Sequence, residues 1–108
     1  LTNWVEGLGL QWALTELDMP CVSDQLDVLN KAACFDNQGK VFGAAVRACL
    51  ESPACDTVVQ WGVTDRYNWW SELTYGQLAN PLILDRDYKY KPAADAVLKE
   101  LVAHAEKS

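Results

Sequence analysis

Long apolar runs are missing from this 108-residue sequence, and their absence excludes one class of protein at once. No stretch approaches the about 20 consecutive apolar residues that a membrane-spanning helix needs. The start carries no charged segment followed by an apolar one, so a signal peptide, if the protein has one, lies upstream of Leu1. Because the first residue is Leu rather than Met, we expect the chain to begin inside a longer protein.

Basic charge and histidine are also scarce. The sequence has 9 Lys and Arg against 15 Asp and Glu, and its formal net charge is −6. That field repels a polyanion, which argues against nucleic acid as a ligand, whereas a neutral polysaccharide is indifferent to it. The single histidine, His104, is predicted to be a solvated residue near a helix end. With no Cys-x-x-Cys and no paired histidines, the sequence predicts no metal site.

Four cysteines are present, and four cysteines allow three pairings. Cys49 and Cys55 flank a short segment that contains Pro53, so this pair is the easiest to close. Cys21 with Cys34 would then form the second bridge. The alternative is four buried free thiols in a cytosolic protein, since free cysteine packs as a small hydrophobe. We favour at least the bridge between Cys49 and Cys55, which predicts an oxidising compartment.

The spacing of apolar residues predicts alternating strands and helices. Two strands are predicted at 10–18 and 57–61, two helices at 40–50 and 93–106, a helix-like lead-in at 2–7, and long loops at 21–37 and 64–80. The order strand, helix, strand, helix is typical of a βαβ unit with parallel strands and a right-handed crossover. Parallel strands need cover on both faces, and the face with Trp12 and Leu14 has no partner within the chain. We therefore expect more protein there, either the rest of a barrel or the rest of a sheet.

Two carboxylates lie at the end of the first predicted strand. Alternation puts Glu16 and Asp18 at its C-terminal end, on the same face as Trp12 and Leu14. In (β/α)8 barrels catalytic residues emerge at that end, although Glu16 paired with an unseen Arg or Lys is an alternative. The two carboxylates stand side by side and would approach a substrate from one side. They cannot by themselves flank the bond to be cleaved, so a general acid must come from another strand.

Tryptophans stand at the corresponding end of the second strand. Trp61 ends that strand, and Trp69 and Trp70 follow in the loop. An indole face packs on the C–H groups of a pyranose, so tryptophans beside carboxylates favour a sugar site. The alternative for each of them is core or loop packing.

Four segments together resemble glycoside hydrolase family 10, the endo-1,4-β-xylanases. Residues 9–18, with Thr-Glu-Leu-Asp, are similar to the family's seventh strand, and 47–55 to its seventh helix and short disulfide loop. Residues 59–69, with Trp-Gly-Val-Thr-Asp, resemble the eighth strand, and 81–93 the closing segment before the last helix. The resemblance covers nearly the whole chain, in the family's order and spacing.

The resemblance implies an α/β fold, a partial (β/α)8 TIM barrel. Residues 1–108 would be the C-terminal part of the catalytic barrel, with strands seven and eight and the end of helix six. A barrel of this class needs about 250 residues, so missing N-terminal strands would supply the acid/base glutamate and a histidine. The full-length parent would be secreted and would cleave xylan or xylo-oligosaccharide with retention and without a cofactor. The isolated chain would be inactive.

Residue roles also follow from the resemblance. Glu16 falls on the nucleophile, and Asp18 on the carboxylate that holds the missing histidine against it. Trp61 and Trp69 fall on the aromatic walls around the sugar, with Trp70 beside them where many members have Arg. Cys49 and Cys55 fall on the family's disulfide. Two rival hypotheses are a non-catalytic carbohydrate-binding or structural remnant of the same barrel, and a β-1,4-glucanase on a related barrel.

Overall fold

The computed structural model describes residues 2–21, 28–70 and 79–107, which contain three helices and a two-stranded parallel sheet. The named elements are α1 (Thr2–Gly7), β1 (Trp12–Leu17), α2 (Val28–Glu51), β2 (Cys55–Gln60) and α3 (Pro92–Glu106). Their order confirms the predicted βαβ unit with a helix before it and a helix after it. Across these ranges, no helix is long and apolar enough to cross a membrane.

Strands β1 and β2 pair in parallel, as predicted, with Leu14 opposite Val58 and Leu17 opposite Gln60. A register shift between Leu14 and Leu17 interrupts the ladder. Both leucines are half-buried, whereas Glu16 between them is exposed. The strict alternation predicted for this strand is therefore wrong beyond Leu14, since an irregularity in one strand rotates the side chains that follow it.

Trp12 opens β1 and has a partner that the sequence does not reveal. Its indole N–H donates to the hydroxyl of Ser52, at 3.0 Å, in the turn between α2 and β2. The prediction that nothing in the chain covers this residue is wrong in part, because Trp12 is half-buried. On β2 the expected uncovered face is present, since Val59 is 44% and Trp61 46% exposed.

Helix α2 is much longer than predicted. It covers residues 28–51 rather than 40–50, so the predicted loop at 21–37 is wrong from residue 28 onward. The remaining part of that loop, 22–27, lies outside the described residues, as do residues 71–78 of the predicted long loop at 64–80. The buried face of α2 includes Gln38 and Gly39 beside Phe42 and Val46. Because a polar residue and a glycine occupy positions on the core face, the sequence does not show the continuous apolar stripe that predicts a helix.

Glycine allows α2 and α3 to approach closely. A Cβ at residue 39 would lie 3.0 Å from the carbonyl carbon of Pro92, and one at residue 43 would lie 3.3 Å from the Cβ of Ala96. These two glycines, one helical turn apart, form the contact line between the helices. Their lack of side chains sets the distance between α2 and α3.

Replacing Gly39 with Ala is therefore expected to lower the free energy of unfolding by about 1–3 kcal/mol relative to Gly7→Ala, because the added methyl overpacks the helix contact. Gly7 is the matched control, since it also lies in a helix and a Cβ there would meet nothing within 4 Å. Denaturant unfolding of the two variants, in the protein that carries this chain, measures the difference. Equal stability would show that the contact can relax at no cost.

Both predicted disulfides are present. Cys49 is bridged to Cys55 with a Cα–Cα distance of 5.1 Å, and Cys21 to Cys34 with 6.1 Å. The first bridge joins the end of α2 to the start of β2, and the second joins the segment after β1 to α2. The alternative of four free thiols does not hold in this structure, because all four cysteines are paired.

Candidate active site

Glu16 lies near the C-terminal end of β1 with an exposed side chain. The ion pairs formed by the described residues, Arg47 with Glu100 and Lys91 with Asp65, leave it out. Among the described residues, therefore, no Arg or Lys forms the structural salt bridge with Glu16 that was the alternative to a catalytic role. An exposed carboxylate at this position is accessible to a ligand above the strand end.

Asp18 follows one residue after β1 and is hydrogen-bonded to both loop tryptophans. The indole N–H groups of Trp69 and Trp70 each donate to its Oδ2 atom at 2.8 Å. The two rings contact each other with centroids 4.8 Å apart and planes tilted by 39°. The structure thus brings three of the predicted site residues together at one carboxylate oxygen.

Trp61 comes directly after β2, and its backbone N–H donates to the carbonyl of Leu17 at 3.2 Å. That bond ties together the C-terminal ends of the two strands. Gly62 then turns the chain with φ of 121°, and a Cβ there would lie 2.8 Å from a methyl carbon of Leu82. Both the backbone angle and the space require glycine at this turn. Trp61, Glu16 and Asp18 consequently share one end of the sheet.

A buried ion pair holds the loop that carries these tryptophans. Asp65 and Lys91 are 1% and 2% exposed, and the Lys91 ammonium donates to Asp65 Oδ2 at 2.8 Å. The other carboxylate oxygen of Asp65 accepts the backbone N–H of Leu82 at 2.8 Å. The backbone carbonyl of Asp65 accepts the side-chain amide of Asn68, just before Trp69, at 2.8 Å. The turn leading to the tryptophan pair is thereby fixed to the core.

Lys91 also satisfies two backbone carbonyls. Its ammonium donates to Leu82 at 2.7 Å and to Asn80 at 3.0 Å, and it lies 4.2 Å from the ring centroid of Phe35. Burial raises the pKa of the Asp65 carboxyl and lowers the pKa of the Lys91 ammonium, while the opposite charge of each partner acts against that shift. Sequence analysis missed this pair. Its only signal was the aspartate of the Trp-Gly-Val-Thr-Asp segment.

Gln38 of α2 completes the support beneath the site. Its amide group donates to the backbone carbonyls of Met19 at 2.6 Å and Asn80 at 2.8 Å. Asn80, with φ of 50°, in turn donates its side-chain amide to the carbonyl of Cys21 at 2.9 Å. The segment that follows Asp18 is therefore held against α2 by polar side chains.

The remaining polar candidates do not converge on this end of the sheet. His104 is exposed in the last turn of α3, as predicted. Among the residues that the structure describes, no three His, Cys, Asp or Glu side chains group in a way that could hold a metal ion. The chemistry available at the described site is that of a carboxylate beside indole rings.

Comparison with known proteins gives a consistent result. The sequence profile of glycosyl hydrolase family 10 matches residues 2–100. Endo-1,4-β-xylanase 1 of Humicola insolens is 36% identical over 86 residues, which are 80% of this chain and 19% of that protein.

Solved structures agree with the sequence comparison. The crystal structure of xylanase 10B from Thermotoga maritima matches 95% of this chain and 30% of its own, with a TM-score of 0.80 and 27% identity. Xylanase 10B from Thermotoga petrophila, solved in complex with xylobiose, matches 94% and 29%, with a TM-score of 0.79 and 26% identity. The chain thus spans less than a third of each of these three relatives. Because the family profile extends over nearly all of its residues, the chain belongs to glycosyl hydrolase family 10.

Proposed function

We propose that the protein containing this chain is an endo-1,4-β-xylanase and that Glu16 is its nucleophile. The observation that carries the proposal is an exposed carboxylate at the C-terminal end of a parallel strand, beside tryptophans bonded to Asp18. Family membership supports it, and so do relatives that bear the name endo-1,4-β-xylanase. The xylobiose bound to the Thermotoga petrophila relative supports a xylo-oligosaccharide as the ligand.

Two displacements with retention form the proposed reaction. Glu16 attacks the anomeric carbon and forms a C–O bond, while a carboxylic acid from another part of the protein protonates the departing glycosidic oxygen. Water then attacks the same carbon and passes a proton to that second carboxylate, which releases Glu16. No metal or organic cofactor takes part. Trp61, Trp69 and Trp70 would form aromatic surfaces against the sugar rings.

In this proposal residues 1–108 form strands seven and eight of a (β/α)8 TIM barrel, with the end of helix six before them. Uncovered apolar surface supports the need for more chain, since Val59 and Val63 are 44% and 57% exposed. An apolar side chain left in water forgoes roughly 1.5–3 kcal/mol of burial energy. A groove of about 400 Å³ between β2, α2 and α3, lined by Val58, Val97 and other apolar side chains, also lacks cover among the described residues.

The same proposal places the protein outside the cytoplasm. Both pairs of cysteines are bridged, and disulfides persist mainly in oxidising compartments. Secretion would also bring the enzyme to xylan, a polymer too large to enter a cell.

Reducing-sugar release from xylan and from cellulose tests the proposal. The full-length protein is expected to release sugar from xylan and little from cellulose, and the isolated 108-residue chain from neither, because the general acid lies elsewhere. A preference for cellulose would favour a β-1,4-glucanase. Binding of xylan by the full-length protein without turnover would favour a non-catalytic remnant.

A further inference from the structure

Both indole N–H groups of the tryptophan pair share a single acceptor atom, Asp18 Oδ2. Asp18 and Trp70 are half-buried, whereas Trp69 is 42% exposed. Among the described residues, no donor is hydrogen-bonded to Asp18 Oδ1. The carboxylate thus has capacity for both the aromatic pair and a further partner.

An indole has one N–H donor and no hydrogen-bond acceptor. The hydrogen bond from that N–H therefore fixes the orientation of the ring. A charged acceptor makes that bond roughly twice as strong as a neutral one. Since Trp69 and Trp70 bond to the same atom and touch at 4.8 Å, neither ring can rotate without disturbing the other. The two rings therefore behave as one surface that is anchored at Asp18.

That surface is anchored close to the proposed nucleophile along the chain. Asp18 is two residues beyond Glu16, a separation of about 6.6 Å along an extended chain. A pyranose ring is of similar size, so a sugar stacked on the tryptophan pair would lie next to the sugar that Glu16 attacks. The indole of Trp69, an exposed residue, is suited to the C–H groups of a neutral sugar.

We propose that Asp18 is a positioning residue that holds Trp69 and Trp70 as a single platform for a neutral sugar of the substrate. The proposal rests on the proposed function. It assigns to Asp18 a task separate from holding a histidine, and it makes the pair, rather than either tryptophan alone, the binding element. The consequence is that removing Asp18 and removing one indole N–H have the same effect on sugar binding.

Circular dichroism tests the platform without any substrate. Two indoles at this distance and tilt couple excitonically, so the full-length protein is expected to show a couplet in the indole bands that Trp70→Phe abolishes. Asp18→Asn keeps the size of the side chain but loses its charge and should reduce the couplet, and Asp18→Ala should abolish it. Trp4→Phe is the control, since Trp4 lies on α1 and is 67% exposed. An unchanged couplet in both Asp18 variants would overturn the platform, whatever the substrate of the protein is.

Affinity for xylotriose tests the sugar site, in a Glu16→Gln background that blocks turnover. Asp18→Ala removes both indole bonds and Trp70→Phe removes one. Each is nevertheless expected to weaken binding about tenfold, the size of one charge-assisted hydrogen bond, because either change releases the pair. The double variant should bind no worse than either single variant, because the residues act as one unit. Multiplied losses would mean that they act separately, and a couplet lost with affinity unchanged would place the sugar elsewhere. Both results would overturn the proposal. If Asp18→Ala does not fold, Asp18→Asn is expected to give an intermediate affinity in the same comparison.

Discussion

Replacing Glu16 with Ala in the full-length protein is expected to lower kcat on xylan by at least about 1,000-fold, equivalent to about 4 kcal/mol in the activation barrier. The reason is that the covalent intermediate cannot form without its carboxylate. Asp18, the next carboxylate along the chain, is not placed to replace it, because two indole N–H groups hold its Oδ2 beside the tryptophans. Initial rates on xylan and on an activated aryl xyloside measure the effect.

Azide separates a missing nucleophile from a damaged fold. A small anion fits the space that the side chain vacates, so added azide should partly restore turnover of the aryl xyloside in Glu16→Ala. Glu106→Ala, an exposed carboxylate at the end of α3, is the matched control and should retain full activity. Full activity in Glu16→Ala would make Glu16 a structural residue. A well-folded, inactive variant that azide does not rescue would argue against a nucleophilic role.

The parallel unit could be predicted because its signals are local. Pro20 follows the first strand, Gly62 ends the second, and Pro92 opens α3, so each boundary has a residue with its own conformational preference. The disulfide between Cys49 and Cys55 is also local, since it spans a short turn. Such features depend little on the rest of the fold.

The first half of α2 could not be predicted, because its core face is not apolar. Gln38 is buried there since its amide donates to the carbonyls of Met19 and Asn80, which lie far from it in sequence. Gly39 is a poor helix former that is present because α3 approaches it. Both residues argue against a helix until their tertiary partners are known.

Some features of the candidate site could be predicted from local sequence, and others depend on distant contacts. Glu16 and the tryptophans follow from residue type and position at strand ends. The bond from each indole to Asp18 does not, because the donors lie more than 50 residues along the chain from their acceptor. The register shift between Leu14 and Leu17, near which the burial pattern of β1 stops alternating, is likewise a product of strand pairing.

Replacing Lys91 with Met is expected to lower the free energy of unfolding by about 3–5 kcal/mol, because Asp65 is left as a buried charge without its partner. The backbone carbonyls of Asn80 and Leu82 lose their donor as well. Lys99→Met is the matched control, since Lys99 is exposed on α3, and its effect should lie within about 0.5 kcal/mol. Denaturant unfolding of the full-length variants measures both.

A double variant isolates the ion pair from the other contacts of Lys91. Asp65→Asn alone leaves a buried ammonium without a counter-charge, so it should also be strongly destabilising. Its amide oxygen can still accept the backbone N–H of Leu82, which preserves that part of the turn. The combination of Asp65→Asn with Lys91→Met should therefore cost less than the sum of the single variants. Additive losses would show that the two charges do not interact.

The pH dependence of Lys91→Met follows from the sign of the Asp65 shift. Burial already raises the pKa of Asp65 while Lys91 opposes that shift, so removing Lys91 should raise the pKa further. A carboxyl whose pKa is higher in the folded than in the unfolded state favours folding when protonated, and that contribution is lost as pH rises through the folded-state pKa. The stability difference between variant and wild type should therefore shrink as pH falls from about 7 towards 4, the range that ends near the pKa of an unfolded aspartate. A difference that stays constant over this range would mean that Asp65 is not the charge left uncompensated, and that the loss comes from the two carbonyls alone.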